Sequence, residues 1–280
     1  MMDRPLTLAY SPCPNDTYIF AALAQGMLSG VPAVQVALED VEALNIAAQK
    51  GDYEFSKISY GAIPGLAGKY RILRGGGALG HGCGPLVVAK SSEGRAASIA
   101  DFADKLFAIP GERTTAFMLL QLALGCSPPT VSMRFNTIVS AVESGTVDAG
   151  LIIHESRFTF EEHGLVRVCD LGEWWESQTG LPIPLGAILA RRDLEKEAVE
   201  VNDAIRDSLS YARNHEDAVM PYVREHAFEM SDEVMRRHID LYVNEYTEDI
   251  GSRGERAVRE LFQRAHSADL IPEAAEPEFV

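Results

Sequence analysis

Residues 84–90 read Gly84-Pro85-Leu86-Val87-Val88-Ala89-Lys90, and residues 184–190 read Pro184-Leu185-Gly186-Ala187-Ile188-Leu189-Ala190. Each is a short apolar run that follows proline- and glycine-rich sequence, which is typical of a strand. We interpret the two runs as the crossings between a pair of lobes. This predicts that residues 91–183 form one lobe, and that residues 1–90 together with 184–280 form the other.

The first two-thirds of the chain alternates short apolar runs with helical patterns, whereas the last third is helical. Such alternation indicates βαβ units and a largely parallel sheet. Together with the two crossings, it predicts an α/β fold of the two-lobed, periplasmic-binding-protein-like kind, with a ligand cleft between the lobes. The predicted strands are residues 6–10, 34–38, 53–59, 85–90, 106–109, 131–135, 149–154, 165–168 and 184–190. The predicted helices are residues 17–25, 41–49, 116–124, 193–228, 231–246 and 254–268.

The sequence of the helical last third predicts three further structural features. Pro221 should break or bend the stretch 193–228, because proline lacks the N–H that a helix interior needs. Ser231 should cap the helix that follows it. The acidic tail after Pro272 should be loose, as chain termini often are.

Composition and charge argue against several classes of function. Of the 280 residues, 46% are hydrophobic and 24% charged, which is ordinary for a soluble globular protein. The formal net charge of −16 argues against nucleic-acid binding, which usually needs a basic face, and against an anionic membrane surface. The glycine-rich residues 74–84 lack the GxxxxGK[ST] spacing of a phosphate-binding loop. The net charge does not argue against an anionic small-molecule ligand, because a few local cations can set the potential of a cleft.

The N-terminus and the cysteines favour a cytoplasmic protein. Residues 1–5 lead into a strand-like run without the apolar core of a signal peptide, and no apolar run reaches the length of a membrane helix. The cysteines Cys13, Cys83, Cys126 and Cys169 form no CxxC pair, so reduced thiols are expected and a zinc site is not. We therefore predict no membrane insertion and no metal.

The strand predicted at residues 149–154 ends in His154, beside Glu155. Ligands of open α/β sheets bind beyond the carboxyl ends of strands, and a histidine there can exchange a proton near neutral pH. His154 is therefore a candidate base, although a lone histidine at a strand end is more often structural. Glu155 should face away from it, because side chains alternate along a strand. Arg157 should hold either Glu155 or a ligand.

Polar side chains also end the strand predicted at residues 53–59. Lys57 and Ser59 share one face of this strand, because side chains alternate. A strand that enters a polar cleft would have this pattern, and so would a strand whose lysine extends into solvent. The spacing leaves both interpretations open.

The loop Ser11-Pro12-Cys13-Pro14-Asn15-Asp16-Thr17 joins the first predicted strand to the first predicted helix. Two prolines stiffen the loop, and Asn15 or Asp16 should cap the helix. Free N–H groups at that helix start could bind an oxyanion. A rigid turn with a good cap is the alternative interpretation.

A second predicted helix start lies at residues 114–116. Thr114 is the expected N-cap, and the positive end of a helix favours an anion. A ligand carboxylate could therefore bind the amides and hydroxyls of Thr114 and Thr115. Simple capping competes with this interpretation, and both can hold together.

Seven short motifs occur in order along the chain. They lie at residues 11–17, 57–60, 75–80, 84–89, 110–111 with 114–116, 150–158 and 180–186. Together they resemble the 1,4-dihydroxy-6-naphthoate synthase family, the cyclic dehypoxanthine futalosine lyases of the futalosine route to menaquinone. Each motif is weak alone, but the combination is specific. The strings Ser-Pro-Cys-Pro-Asn-Asp and Ile-His-Glu-Ser-Arg-Phe favour this family over a dehydratase family of the same pathway and fold.

The resemblance implies a type II periplasmic-binding-protein-like fold that is used as an enzyme without a cofactor. Its substrate would be cyclic dehypoxanthine futalosine, a carboxylated small molecule, and its products 1,4-dihydroxy-6-naphthoate and a sugar-derived fragment. The related dehydratase and a non-catalytic small-molecule binding protein are the alternatives. The family's histidine base corresponds to His154. Its substrate-binding segments correspond to Lys57, Ile58, Ser59, Thr114 and Thr115, and the cleft would also include Ser11, Asn15 and Asp16.

Overall fold

The computed structural model describes residues 4–66, 68–91, 98–227, 231–272 and 275–280. In these residues the strands form two separate sheets. The first sheet contains β1 (Leu6–Tyr10), β2 (Val34–Leu38), β3 (Phe55–Ser59), β4 (Tyr70–Ile72), β5 (Ala78–Gly80) and β11 (Ile183–Arg191). Its order is β2-β1-β3-β11-β4, and β5 also pairs with β11.

The second sheet is built from the middle of the chain. It contains β6 (Leu86–Lys90), β7 (Phe107–Ile109), β8 (Thr130–Ser132), β9 (Ala149–Ile152) and β10 (Leu165–Asp170). The order of these strands is β10-β6-β9-β7-β8. The predicted lobe boundaries at residues 90 and 184 stay a prediction. Strand β6, which those boundaries place in the first lobe, pairs within the second sheet.

One strand in each sheet is antiparallel to all the others. In the first sheet this strand is β11, which is antiparallel to β3, β4 and β5. In the second sheet it is β6, which is antiparallel to β9 and β10. Both strands lie in the segments predicted as crossings, and each follows a strand of the other sheet along the chain. The expected parallel arrangement holds for the remaining strands, since β1 pairs in parallel with β2 and β3, and β7 with β8 and β9.

The described helices cover both sheets. The α-helices are α1 (Pro14–Ala24), α2 (Val41–Lys50), α3 (Thr115–Leu124), α4 (Ile138–Ser144), α5 (Leu171–Thr179), α6 (Glu195–Asn214), α7 (Glu216–His226), α8 (Asp232–Tyr242), α9 (Glu245–Glu248) and α10 (Gly251–Ser267). Short 3-10 helices lie at Tyr60–Leu66, Ile99–Phe102, Phe135–Thr137, His154–Phe158 and Phe160–His163. None of these helices is both long and apolar enough to cross a membrane.

The helical stretch predicted at residues 193–228 is interrupted, but not at Pro221. Pro221 lies inside α7, and the interruption comes at His215, whose φ of −138° and ψ of 50° are not helical. Helix α7 is therefore a separate helix that begins at Glu216, before the proline. Phe228, the last residue of the predicted stretch, lies outside the described residues. Ser231 caps α8 as predicted, because its side chain accepts a hydrogen bond from Val234 N at 3.3 Å.

The C-terminal residues pair with the first sheet. Ile72 N donates to Glu278 O at 2.8 Å, and Val280 N donates to Ile72 O at 2.9 Å. The Glu278 carboxylate also accepts from Arg71 Nε at 2.7 Å. The expectation of a loose tail after Pro272 is therefore wrong for these residues, because backbone pairing covers the edge strand β4.

Helix α1 is buried on almost every side, which its apolar sequence requires. Helices α6, α7 and α8 pack against it, so the helical third holds α1 at the end of β1. Because β1 and β3 are parallel, the residues after β1 and the last residues of β3 meet at one edge of the first sheet. Parallel β7 and β9 likewise bring the residues that follow them to one edge of the second sheet.

Candidate active site

A cavity with about 700 Å³ of empty volume lies between these two edges. All the residues that the family resemblance assigns to the cleft line it: Ser11, Asn15, Asp16, Lys57, Ile58, Ser59, Thr114, Thr115 and His154. The fold thus collects residues from the starts of α1 and α3 and from the ends of β3 and β9. Their proposed roles in binding and catalysis stay predictions.

The rest of the cavity wall is mainly apolar. Its apolar lining includes Val41, Leu44, Ala78, Pro85, Ala116, Ile153, Leu185 and Tyr242. Gly186 also lines it, and a Cβ atom there would come within 2.9 Å of Ile58 O, so glycine lets β11 approach β3 closely. An apolar cavity with a few placed polar groups suits a small organic ring that carries polar substituents.

Asp16 and Lys57 form a buried ion pair in this wall. Lys57 Nζ donates to Asp16 Oδ1 at 2.6 Å and to Gly76 O at 3.0 Å. The side chains of Lys57 and Asp16 are only 8% and 3% exposed. Asp16 also accepts from Asn15 Nδ2 at 2.9 Å and from Ser11 Oγ at 2.7 Å. Lys57 therefore does not extend into solvent, and it keeps one ammonium hydrogen beyond those two bonds.

The capping role predicted for Asn15 or Asp16 is wrong. Helix α1 starts at Pro14, and its N-cap is Cys13, whose side chain makes no capping bond. Proline suits the first position of a helix, because its φ is preset and its missing N–H would have no partner there. Asn15 and Asp16 therefore lie in the first turn, where their side chains are used for the Lys57 network.

Ser59 is held by residues that the sequence analysis missed. Its backbone N donates to Asn45 Oδ1 at 2.9 Å, and Asn45 Nδ2 donates to Ser59 Oγ at 3.2 Å. Asn45 also donates to Glu42 Oε2 at 3.0 Å. Glu42 accepts in turn from the backbone N of Arg113, which follows strand β7 of the second sheet, at 3.2 Å. This chain links the end of β3 to the start of α3 across the cleft.

Thr114 and Thr115 use their hydroxyls within the protein. Thr114 caps α3 as predicted, since its Oγ1 accepts from Phe117 N at 3.2 Å. Thr115 Oγ1 donates to Leu185 O at 2.6 Å and accepts from Gly61 N at 3.0 Å. The Thr115 hydroxyl therefore fastens α3 to the first sheet. A ligand anion at this helix start would mainly meet backbone N–H groups and the positive end of the helix.

His154 lies where the backbone turns out of β9. The strand ends at Ile152, so the predicted strand 149–154 is two residues too long. His154 has a φ of 58°, in the left-handed region that is uncommon for residues other than glycine. It starts the 3-10 helix His154–Phe158, so strand alternation no longer decides where Glu155 points. Non-glycine residues in this region are frequent at functional sites.

The His154 ring is packed between aromatic groups and lies beside a thiol. Its Nδ1 is 3.4 Å from Cys13 Sγ. The ring of Phe135 meets it edge-on at 4.9 Å, and the ring of His238 lies nearly parallel at 6.0 Å. Its Nε2 is buried and has no hydrogen-bond partner among the described residues.

Burial keeps the His154 imidazole neutral. It lowers the pKa of His154 to about 4, against the opposing effect of the Asp16 and Asp40 carboxylates, while Lys57 lowers it further. Burial also raises the pKa of the Cys13 thiol well above its usual range. Near pH 7 the pair is therefore an uncharged imidazole and an uncharged thiol. His154 lines the cavity, and an unpartnered nitrogen of a neutral imidazole is suited to accept a proton.

Arg157 does not hold Glu155, so that part of the expectation is wrong. Its guanidinium donates to Gly84 O and, at 3.2 Å, to Asp170 Oδ2. These bonds tie the turn after His154 to β10 and to the crossing before β6. Glu155 is instead largely buried, and its Oε2 has no partner in the described chain. Burial raises the pKa of Glu155 to about 6.

His238 is the buried histidine that the sequence analysis missed. It lies on α8 and is fully buried, and its Nε2 is 3.0 Å from Asn15 Oδ1. Burial lowers its pKa well below the usual range for histidine. Its position on the apolar face of α8, with Met235, Ile239 and Tyr242, could have been found from helical spacing. Its contact with Asn15, more than two hundred positions away, could not.

A family profile described as menaquinone biosynthesis matches residues 6–267. The chain belongs to the menaquinone biosynthesis family. Two curated relatives are both called 1,4-dihydroxy-6-naphtoate synthase. The protein of Thermus thermophilus is 47% identical over 277 residues, which cover 98% of this chain and 99% of that protein. The protein of Streptomyces coelicolor is 45% identical over 273 residues, which cover 95% of each.

These matches confirm the resemblance that the sequence motifs indicate. The relatives in the menaquinone biosynthesis family are named as synthases, which supports an enzymatic role for this chain. A solved structure from Archaeoglobus fulgidus superposes with a TM-score of 0.89 at 35% identity, covering 97% of this chain and 100% of that one.

Solved binding proteins share the fold at low identity. The alkanesulfonate-binding protein of Xanthomonas axonopodis pv. citri, bound to MOPS, gives a TM-score of 0.73 at 12% identity, covering 97% of this chain and 96% of that one. The periplasmic aliphatic sulphonate binding protein of Escherichia coli gives 0.66 at 11% identity, covering 97% and 90%. These structures confirm the predicted two-lobed, periplasmic-binding-protein-like α/β fold, and at such identities they show the fold alone.

Proposed function

We propose that the chain is a lyase that converts cyclic dehypoxanthine futalosine into 1,4-dihydroxy-6-naphthoate and a sugar-derived fragment. The observation that carries the proposal is His154, a neutral imidazole whose Nε2 has no partner in the described residues and whose ring lines the apolar cavity. The names of the two curated relatives support the product.

In this proposal, His154 removes a proton from the bound substrate. The electron pair left behind forms a new carbon–carbon double bond while a ring bond of the substrate breaks. The electron pair of the broken bond leaves with the sugar-derived fragment, which takes up the proton from His154, and the remaining ring system becomes the aromatic naphthalene. In the tautomer in which Nδ1 donates to Cys13 Sγ, the lone pair of the base is on Nε2. A positioned base of this kind typically contributes about 10²–10⁴-fold to the rate.

In this proposal, polar groups bind the oxygens of the substrate and apolar side chains bind its rings. The remaining ammonium hydrogen of Lys57 and the start of α3 at Thr114 and Thr115 would hold the carboxylate or ring oxygens. The apolar walls would hold the ring system. Orientation between the two lobes can contribute more to the rate than the base itself.

The test is to incubate the purified chain with cyclic dehypoxanthine futalosine and to follow dihydroxynaphthoate by mass spectrometry. We expect turnover without added metal or redox cofactor. Tight binding without conversion would contradict the lyase and support a binding protein, the role for which the sulfonate-binding structures use this fold. A substrate left both unbound and unchanged would instead favour the related dehydratase.

The depressed pKa of His154 predicts the acid side of the pH profile. A base with a pKa of about 4 is active when deprotonated, so kcat/KM should stay level from pH 7.5 down to about pH 5. An acid limb with a midpoint near the ordinary histidine value of about 6.5 would contradict a buried neutral base.

The same pKa predicts a dependence of stability on pH. Between about pH 6.5 and pH 4 the unfolded chain binds a proton at residue 154 that the folded chain does not. The contribution of His154 to the free energy of unfolding should therefore fall by about 1.4 kcal/mol per pH unit as the pH drops through this window. Urea titrations of the native protein and of His154→Gln isolate this contribution, because the other groups are common to both.

A further inference from the structure

We infer that His238 is a positioning residue of the active site: it holds the side-chain amide of Asn15 and thereby orients the Asp16–Lys57 pair towards the cleft. The inference rests on the proposed function of that cleft. His238 does not line the cavity, so it would act through its hydrogen bond to Asn15 and not by touching the substrate.

The hydrogen bonds around Asn15 determine the tautomer of His238. Asn15 Nδ2 donates to the Asp16 carboxylate at 2.9 Å, so the amide nitrogen faces Asp16 and the amide oxygen faces His238. An amide oxygen can only accept. His238 Nε2, at 3.0 Å from this oxygen, must therefore carry the proton.

The chain of hydrogen bonds continues into the cavity wall. From Asn15 it reaches Asp16, whose Oδ1 also accepts from Lys57 Nζ and whose Oδ2 accepts from Ser11 Oγ. Asn15, Asp16, Lys57 and Ser11 all line the cavity, and His238 stands one bond behind them. Loss of the His238 donor would free Asn15 to rotate and would remove one of the bonds that fix the carboxylate.

His238 is also placed to connect the two lobes. Helix α8 packs against the turn His154–Phe158, and the two imidazole rings lie within 11° of parallel. Arg237 covers the ring of Phe158 at 4.7 Å, which anchors the same face of α8 on the second lobe. One side chain therefore contacts the candidate base on one side and the first turn of α1 on the other.

Packing alone does not explain a histidine at this position. In the Nε2–H tautomer, Nδ1 bears a lone pair, and this atom is buried without a partner in the described chain. A buried unpartnered polar atom is unfavourable, so phenylalanine would fill the site better if only shape mattered. The bond from Nε2 to Asn15 is what the histidine adds.

Two substitutions separate the positioning role from packing. His238→Phe keeps a ring of similar shape but removes the donor, whereas His238→Gln keeps an amide donor near the Nε2 position but removes the ring. Measured with cyclic dehypoxanthine futalosine, kcat/KM should fall about 10–100-fold in His238→Phe, because misplaced binding groups cost rates of this order. The glutamine variant should stay within several-fold of the native protein.

A purely structural role gives the opposite order, with the phenylalanine variant near native activity and the glutamine variant impaired. That order would overturn the inference. A double-mutant cycle adds a second criterion: in an Asn15→Leu background, His238→Phe should cause no further loss, because the bond through which it acts is already gone. Independent, additive losses would equally overturn it.

A measurement on the native protein covers the case in which His238→Phe does not fold. Histidine nitrogen NMR should show His238 as the neutral, Nε2-protonated tautomer from pH 5 to 8. A charged ring or the Nδ1-protonated tautomer would refute the geometry on which the inference stands. Failure of the native protein to convert the substrate would instead refute the proposed function, so the two failures are distinguishable.

Discussion

Replacing His154 by glutamine should lower kcat for cyclic dehypoxanthine futalosine by about 10²–10⁴-fold, the usual contribution of a positioned base. Glutamine is close in size to histidine but cannot take up a proton near neutral pH. KM should change little, because Lys57 and the start of α3 carry the proposed binding energy. Steady-state kinetics with the purified variant measure both parameters.

His163→Gln is the matched control for this substitution. His163 is exposed, its Nδ1 lies 3.1 Å from Glu143 at the surface, and it does not line the cavity. The same chemical change there should leave kcat within about two-fold, because a surface pair of this kind contributes little. A His154→Gln protein that turns over at the native rate would remove His154 from the mechanism, provided that its melting temperature is close to native.

Replacing Lys57 by methionine should destabilise the protein by about 3–5 kcal/mol, because it leaves the Asp16 carboxylate buried without its cation. The same change should raise KM, since the proposed site loses its ammonium group. Urea unfolding of the variant measures the first effect, and substrate titration of the folded protein measures the second. The two effects should separate in the double variant.

In Lys57→Met/Asp16→Leu, both charges are removed, so most of the lost stability should return while KM stays high. Lys196→Met serves as the surface control, because Lys196 pairs with Glu200 at 3.2 Å one helical turn away and is 76% exposed. That change should cost no more than about 0.5 kcal/mol. Native stability in Lys57→Met would show that the buried pair contributes nothing to the fold.

Much of the candidate site could be predicted from the sequence, because local patterns and sheet geometry determine it. The carboxyl ends of parallel strands meet at one edge of a sheet. The residues that follow β1 and β3 therefore have to lie close together. Thr114 was identified as a cap because capping depends on residues within one turn. Family motifs then singled out His154 from the other histidines of the chain.

The parts that could not be predicted depend on contacts between distant segments. Asn15 and Asp16 look like caps locally, but the burial of Lys57 beside them gives Asp16 a stronger partner. The left-handed backbone at His154 has no signal in the sequence, and the turn that begins there packs against the distant helix α8. His238 likewise acquires its partner only when the helical third folds over α1.

The central claim is that His154 carries the chemical step, and a single-turnover experiment tests it most directly. Mixing cyclic dehypoxanthine futalosine with protein in excess, at a concentration well above KM, removes substrate binding and product release from the observed rate. Native protein should form one equivalent of 1,4-dihydroxy-6-naphthoate, and His154→Gln should form it at least about 10²-fold more slowly. Equal single-turnover rates in the two proteins, or no product from the native protein, would contradict the account.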